Sequence, residues 1–395
     1  MKQDQKNSQQ ISTWITVLLA VACGVIVANL YYAQPLIGPI STATGLPLSL
    51  AGFIVTLTQI GYVIGLLFIV PLSDLIENRR LVFILLIALI AALIGAAQIT
   101  NAFFFLATAL LLGLGSVATQ ILVPYAAHLA PEEKRGQAVG NVMSGLLLGI
   151  MLSRPLASLV TGLWSWQIIF LISAILTALL ALLLAFFLPK RTPVPTLSYR
   201  RLLLSLISLF ATKPLLRRRA FYQACLFGSF SLFWTVIPLW LTHHFHLSQQ
   251  EIALFALAGV AGAVAAPIAG RLADKGWTKP LTGLAIVIAI LSFLLTNITS
   301  EPSHFALTIL VIAAIALDMA VSGNLVLGQR VIYSLGSEIR GRVNGVFMAV
   351  FFMGGAAGSS LGGWSYAYGG WFAASLLGLI LPIIALIYFF TEKTK

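Results

Sequence analysis

Long apolar runs separated by short polar segments dominate the sequence. A helix that crosses a bilayer needs about 20 predominantly apolar residues. Because the runs are continuous and do not alternate, they predict helices rather than the strands of a barrel. They define spans 1 to 12 in chain order, predicted at residues 13–35, 49–72, 80–99, 102–129, 137–163, 167–188, 219–242, 249–271, 279–298, 304–329, 342–363 and 370–391. The pattern predicts an all-α membrane protein with twelve transmembrane helices.

The basic residues predict how these spans are oriented. Lys and Arg are concentrated in the termini and in the even-numbered loops, whereas the odd-numbered loops, such as HHFHLSQQE and NITSEPSH, contain neither. Loops rich in Lys and Arg stay in the cytoplasm, so both termini are predicted to be cytoplasmic. The net charge of +12 is therefore explained by topology. It predicts a lipid bilayer, and not nucleic acid, as the partner.

Composition supports the same class of protein. The chain is 59% hydrophobic and only 9% charged, against about 45–50% and about 25% in soluble domains. Its two cysteines, Cys23 and Cys225, lie in separate apolar runs and indicate buried thiols, not a disulfide framework.

A basic segment at 189–218 divides the chain into two predicted six-helix halves, 1–188 and 219–395. PEEKRGQAVGNVMSGLLLG after span 4 is echoed by GSEIRGRVNGVFMAVFFMGG after span 10, which indicates a duplicated unit. Two such halves predict a solute site between them near the middle of the membrane. Within the linker, TLSYRRLLLSLISLF is compatible either with a helix on the lipid surface or with a plain basic connection.

The loops after spans 2 and 8 carry a related pattern. PLSDLIENRR keeps Leu72, Asp74, Arg79 and Arg80 of the signature G-x-L-x-D-R-x-G-R-[RK], and GRLADKG repeats its first part. On these motifs the whole chain resembles the major facilitator superfamily, and most of all the bacterial twelve-span drug:proton antiporters. The resemblance implies two pseudo-symmetric halves, alternating access and the bacterial cytoplasmic (inner) membrane.

An acid near a helix end that faces arginines can hold the two halves together in one state. We therefore expect a cytoplasmic gate, although short charged turns that only set topology are the alternative. Its predicted members are Asp74, Arg79, Arg80, Arg271 and Asp274.

The chain departs from the family in two places. Ala109 stands where an Arg is common in span 4, and Arg154-Pro155 stands where the antiporter signature of span 5 has Gly-Pro.

Asp318 is the one acid clearly within a span. It lies about 18 Å from Arg330 and about 21 Å from His304 along an ideal helix, hence near the middle of the membrane. Burial disfavours the charged form of a carboxyl group, so that such an acid can take up and release a proton. Asp318 is the predicted proton-coupling residue, with structural hydrogen bonding between helices as the alternative.

Arg154 is the one basic residue that the topology does not explain, since it lies about 15 Å below Trp164 within span 5. Three interpretations remain open: a fixed counter-charge for Asp318, an anchor for an anionic group of the substrate, or an arginine bonded to backbone carbonyls. An arginine stays protonated, so Arg154 can tune a proton site but cannot carry the proton.

Polar and aromatic residues on the helices expected to line the cavity are further candidates. Hydrogen bonds between packed helices are the alternative for each of them. With Arg154, the predicted substrate-binding residues are Asn29, Tyr32, Gln34, Gln120, Tyr222, Trp234 and Asn324.

These features together predict a secondary transporter that exports a small organic molecule in exchange for protons. Uptake by proton symport and facilitated diffusion of an anion or zwitterion are the alternatives. A membrane-embedded enzyme is disfavoured because H-E-x-x-H and G-x-S-x-G are absent, and an ATP-driven pump because G-x-x-x-x-G-K-[ST] is absent. No cofactor and no metal are predicted, the proton gradient is the expected driving force, and a monomer suffices.

Overall fold

The computed structural model describes residues 13–131, 134–193, 197–298 and 301–392. In these ranges every regular element is a helix. The α-helices are Thr13–Ala28, Ile37–Thr44, Phe53–Ile64, Asn78–Gln98, Ala102–Ser116, Ala118–Leu129, Arg135–Leu163, Trp166–Phe187, Tyr199–Thr212, Pro214–His244, Gln249–Ala256, Gly262–Asp274, Thr278–Leu295, His304–Tyr333 and Arg340–Phe390. Short 3₁₀ or π segments lie at Gln34–Leu36, Leu48–Leu50, Gly65–Ile69, Val70–Asp74, Leu257–Ala261 and Ser337–Ile339.

Ten of the described helical stretches are long and apolar enough to cross a membrane. One of them, Arg340–Phe390, covers both predicted spans 11 and 12, and the apolar helix Thr13–Ala28 of span 1 is shorter than the others. The structure is therefore consistent with the twelve predicted spans, and the predicted all-α fold is confirmed.

The long helix Arg340–Phe390 reverses at Gly370. This residue has φ 62° and ψ −157°, a backbone conformation that glycine adopts without the steric cost of a side chain. The two arms then run side by side, since Gly228 of span 7 packs against both Gly354 of the first arm and Leu381 of the second. Spans 11 and 12 are thus two antiparallel helices joined by one glycine.

The bundle has two chemically different ends. We call the end that carries the Lys- and Arg-rich loops, predicted to be cytoplasmic, the basic end, and the other end the opposite end. The two halves meet towards the opposite end, where spans 2 and 11 approach closely. There Thr56 Oγ1 donates to the carbonyl of Ala356 at 3.0 Å, and Gly52 lies so near Ser359 that an added Cβ would fall 2.2 Å from its carbonyl oxygen.

A second set of contacts joins the halves beside this one. Gln59 Nε2 of span 2 donates to Ser231 Oγ of span 7 at 2.9 Å, and Gln250 of span 8 donates to the carbonyl of Gly162 at 2.6 Å. All four residues lie in the middle or at the opposite end of the bundle. The structure is therefore closed between the halves on that side.

The linker contains a helix, Tyr199–Thr212, as one of the two sequence interpretations predicted. Its Leu202, Leu206 and Leu209 are buried. Tyr199 donates to the carbonyl of Phe68 in the first half at 2.8 Å, while Leu206 and Leu209 pack with residues of spans 10 and 11. This helix contacts both halves at the basic end.

The next helix begins at Pro214, five residues before the predicted start of the second half.

Candidate functional site

Arg154 lies at the boundary between the two halves, with 1% of its surface exposed. Its Nε donates to Gln34 Oε1 at 2.8 Å, and its Nη1 lies 3.9 Å from Asp318 Oδ1. Asp318 is 4% exposed. A separation of 3.9 Å is an ion pair without a direct hydrogen bond. In this conformation Arg154 is therefore a counter-charge for Asp318, which is one of the three interpretations left open by the sequence. Among the described residues, its guanidinium makes no hydrogen bond to a backbone carbonyl, as the packing interpretation would require.

Trp234 connects the acid to a wall of aromatic rings. Its Nε1 donates to Asp318 Oδ2 at 2.9 Å. The guanidinium carbon of Arg154 lies 4.4 Å from the ring centroid of Trp234, 4.8 Å from that of Phe230 and 5.4 Å from that of Tyr31. Cations within about 6 Å of a ring centroid are attracted by the face of the ring. The charge of Arg154 is thus held by one acid, one amide oxygen and three rings.

Breaks in two helices bring the partners of Arg154 into place. The helix of span 1 ends at Ala28, and Gln34 begins the 3₁₀ turn Gln34–Leu36, so that this segment bends over span 5. Span 8 is interrupted by the 3₁₀ segment Leu257–Ala261, which holds Gly259 against the site. A Cβ on Gly259 would lie 3.0 Å from Arg154 Nη1 and 3.4 Å from Asp318 Oδ1. Because Gly259 has no side chain, the guanidinium of Arg154 and the carboxylate of Asp318 can occupy the space beside it.

Gly259→Ala is expected to displace the guanidinium by a few tenths of an ångström and to lower the unfolding free energy by about 1–3 kcal/mol, as overpacking in a filled core does. Thermal unfolding of the purified protein measures the loss. The matched control is Gly270→Ala on the same span, where an added Cβ would meet its nearest neighbour at an ordinary 3.7 Å. Equal unfolding midpoints for the two variants would show that Gly259 is not tightly packed.

We call Arg154 and Asp318 the inter-half pair because Arg154 belongs to the first half and Asp318 to the second. In the part of the chain that the structure describes, three further salt bridges each lie within one half: Arg79–Glu77, Arg219–Glu392 and Arg330–Asp274. Within the described ranges, Nη2 of Arg154 and Nε2 of Gln34 are buried without a hydrogen-bond partner. A buried charge left incompletely bonded lowers the stability of the arrangement that contains it.

Gln34 and Trp234 are the predicted substrate residues that join Arg154 at this site. Phe230 and Gly259 belong to the same cluster but carried no signal in the sequence, since both are apolar residues within apolar runs. Tyr31, the neighbour of Tyr32, contributes the third ring.

Three of the other predicted substrate residues, Asn29, Gln120 and Asn324, bond helices to one another. Asn29 donates to the carbonyls of Val25 and Ile26 and accepts from Ser173 Oγ at 2.7 Å, which ties span 1 to span 6. Tyr32 lines a cleft between spans 1 and 5. Gln120 donates to the Tyr62 hydroxyl at 2.9 Å, and Asn324 donates to Gln223 Oε1 at 2.7 Å. The contacts of Asn29, Gln120 and Asn324 join helices, whereas Tyr32 faces the cleft, and a role of these four residues in substrate binding stays a prediction.

Tyr222 lies away from the site, at the basic end. Its hydroxyl donates to Glu392 Oε2 at 3.1 Å and accepts from Arg218 at 3.0 Å. Arg219 pairs with the same carboxylate at 3.0 Å and donates to Thr282 Oγ1 at 2.8 Å. These contacts join spans 7, 9 and 12, so the position of Tyr222 favours a structural role over the predicted substrate contact.

Glu392→Gln is expected to lower the unfolding free energy on the order of 3 kcal/mol, because Arg219 would remain buried without its counter-charge. The thermal unfolding midpoint of the purified protein measures this effect. Glu338→Gln, a neutralised acid on the exposed surface of the basic end, is the control. A midpoint unchanged from wild type in Glu392→Gln would show that the carboxylate does not stabilise the second half.

Among the described residues, the predicted members of the cytoplasmic gate make no direct ion pair between the halves, although Asp74 of the first half lies within electrostatic range of Arg342 of the second. Asp274 pairs with Arg330, and Arg79 contacts Glu77 and the carbonyl of Leu188, all within one half. Asp74 is exposed, as are the remaining predicted members, Arg80 and Arg271. The gate stays a prediction for a different conformational state.

Among the described residues, no group of three or more His, Cys, Asp or Glu side chains is arranged to hold a metal ion. His244 stacks on Trp240 with centroids 5.4 Å apart, and His243 lies 3.4 Å from the Tyr366 hydroxyl. These two histidines thus contact aromatic residues.

Comparison with known proteins agrees with this architecture. The chain is 40% identical to a protein named "Uncharacterized transporter YgaY" from Escherichia coli O157:H7, over 97% of this chain and 96% of that protein. It is 31% identical to a protein named "Probable transporter SCO4007" from Streptomyces coelicolor, over 90% of this chain and 82% of that protein. The crystal structure of a bacterial homologue of the human lysosomal transporter Spinster has the same fold, with a TM-score of 0.74, 15% identity and coverage of 95% and 96% of the two chains.

The family model of the Major Facilitator Superfamily matches residues 18–332 and 219–395, which together cover most of the chain. The relatives, the helical membrane fold and the family match agree with one another. The chain is a membrane transporter that belongs to the Major Facilitator Superfamily.

Proposed function

We propose that this transporter exports a small organic molecule across the bacterial cytoplasmic membrane by alternating access, in exchange for protons. One observation supports the proposal above all: a buried ion pair, Arg154 with Asp318, joins the two halves where they must separate if the site is to open at the opposite end. The basic end lies in the cytoplasm in this proposal, as the distribution of Lys and Arg predicts.

Asp318 is the member of the inter-half pair that can change its charge. The guanidinium of Arg154 stays protonated, whereas a buried carboxylate can take up a proton. Protonation of Asp318 removes the attraction across the boundary but leaves the hydrogen bond from Trp234, whose partner is the other carboxyl oxygen. A proton on Asp318 therefore weakens the contact between the halves without dismantling the second half.

The location of the pair favours exchange over symport. An exchanger requires that the empty transporter does not reorient, whereas a symporter requires that it does. The inter-half pair forms when Asp318 is ionised and no ligand separates the two residues, so it keeps the empty protein from opening at the opposite end. A proton or a substrate that interrupts the pair then permits reorientation, and the two are exchanged. With the proton gradient of a bacterial membrane directed inward, the substrate moves outward.

The proposal is tested in proteoliposomes of known orientation that contain a pH-sensitive dye. A panel of organic solutes is added on one side, and proton and solute movements are recorded together. Exchange predicts opposite directions for solute and proton, and loss of the proton movement in Asp318→Asn but not in Glu338→Gln. Movement in the same direction would establish symport, and solute equilibration without protons would establish facilitated diffusion. Either result would overturn the proposed exchange.

A further inference from the structure

We propose that the guanidinium of Arg154 occupies, as a tethered cation, a binding box for the guanidinium or amidinium group of a transported solute. The inference rests on the proposed transport function and specifies its substrate class. We call this site the guanidinium box. Apart from Arg154 itself, it consists of Tyr31, Gln34, Phe230, Trp234, Gly259 and Asp318.

The rings of the box suit a flat, delocalised cation. Trp234, Phe230 and Tyr31 lie 4.4, 4.8 and 5.4 Å from the guanidinium carbon, all within the range of cation–π attraction. A guanidinium can stack on such rings and still donate hydrogen bonds from its edge, whereas a compact ammonium is more strongly hydrated and does not stack. The aromatic wall therefore favours a guanidinium over an ammonium of equal charge.

The edge of the box supplies acceptors, and a glycine backbone forms one wall of it. Gln34 Oε1 accepts from Arg154 at 2.8 Å, and Asp318 Oδ1 faces the guanidinium at 3.9 Å. Gly259 has no side chain, and a Cβ there would lie 3.0 Å from Nη1. The box thus combines an acid, an amide oxygen and a space just large enough for one planar cation.

The contacts of Arg154 are compatible with its displacement. Its nitrogen lies beyond hydrogen-bonding distance of Asp318, and its Nη2 has no partner among the described residues. Arg154 also belongs to the first half, whereas Phe230, Trp234, Gly259 and Asp318 all belong to the second. Because Trp234 donates to Asp318, this part of the box stays together when the halves separate. A solute cation that hydrogen-bonds Asp318 directly gains contacts that Arg154 does not make.

The same geometry disfavours an anionic solute. An anion next to Arg154 would also lie next to Asp318 and against the faces of three rings, whose quadrupoles carry negative charge. A cation instead takes the place of Arg154 and breaks the inter-half pair, just as a proton on Asp318 does. Proton and cation then compete for one acid, so that each can bind only when the other has left, as exchange requires.

Calorimetric titration of the full-length protein in lipid nanodiscs tests the inference with methylguanidinium, methylammonium and benzoate as probes. We expect methylguanidinium to bind wild type at least tenfold more tightly than methylammonium, and benzoate not to bind. Arg154→Ala removes the tethered competitor and is expected to raise the affinity for methylguanidinium at least tenfold, while Asp318→Asn lowers it at least tenfold. Arg219→Ala, which removes a different buried arginine, is the matched control and leaves the affinity unchanged.

Any of three results would overturn the inference. Benzoate binds, the two cations bind with equal affinity, or the affinity for methylguanidinium does not rise in Arg154→Ala. If Arg154→Ala does not fold, Arg154→Lys replaces it, because an ammonium is a weaker occupant of the box and the affinity is again expected to rise. Failure of the inference is distinguishable from failure of the proposed function. If the protein exchanges protons for a different solute and this exchange depends on Asp318, the proposed function stands and only the guanidinium box is refuted. If methylguanidinium binds but no protons move, the guanidinium box stands and only the proposed proton exchange is refuted.

Discussion

Asp318→Asn is expected to abolish proton-driven accumulation of substrate in proteoliposomes, while downhill movement at high solute concentration continues. Asparagine can accept the hydrogen bond from Trp234, which is 2.9 Å long in the structure, but it carries no charge and takes up no proton. At every pH the variant therefore resembles the wild-type protein with Asp318 protonated. Its unfolding midpoint is expected to fall, because the closed conformation then buries Arg154 without its counter-charge.

The measurement is the solute concentration ratio reached across the membrane under an imposed pH gradient. Glu338→Gln, an exposed acid far from the boundary between the halves, is the control for the loss of one negative charge. Proton-driven accumulation by Asp318→Asn equal to that of wild type would show that Asp318 is not the coupling residue.

Arg154→Ala is expected to shift the protein towards the conformation that is open at the opposite end. The substitution leaves Asp318 and Gln34 facing each other at the boundary without the cation that joins them. Removing one partner of a buried ion pair costs about 3–5 kcal/mol. This cost falls on the closed conformation, because in the open conformation water reaches the acid. A shift of this size is sufficient to reverse the populations of the two conformations.

Spin labels report the shift as a distance. Trp164 in the first half and Tyr368 in the second are 69% and 74% exposed at the opposite end. Labels at these two positions are expected to give a longer mean distance in Arg154→Ala than in wild type. Arg219→Ala, in which the lost ion pair lies within one half, is expected to keep the wild-type distance. Identical distances in wild type and Arg154→Ala would show that the pair does not hold the halves together.

The spans and the unusual residues within them were predictable from the sequence. Hydrophobic length predicted the helices because each span must satisfy its own backbone within the membrane. Arg154 and Asp318 were conspicuous because charges are rare in such segments. Their distance from each other was not predictable, since they lie 164 positions apart in the chain and meet only through the packing of the two halves.

Two parts of the site illustrate the limits of sequence reasoning. Phe230 and Gly259 are common residues in apolar runs, and their role is visible only from what lies beside them. Tyr222 and Trp234 lie on the same helix, and their sequence position alone predicted the same role for both. They are 12 residues apart, about 18 Å along the helix, so Tyr222 reaches the basic end while Trp234 contacts Asp318.

The central claim is that a proton on Asp318 releases the contact between the two halves. The most direct test is the distance between spin labels at positions 164 and 368, measured as a function of pH in wild type and in Asp318→Asn. The account predicts that acidification lengthens the distance in wild type, because it neutralises one member of the inter-half pair, and that the distance in Asp318→Asn is long at every pH. A distance that stays short at all pH values in both proteins would contradict the account.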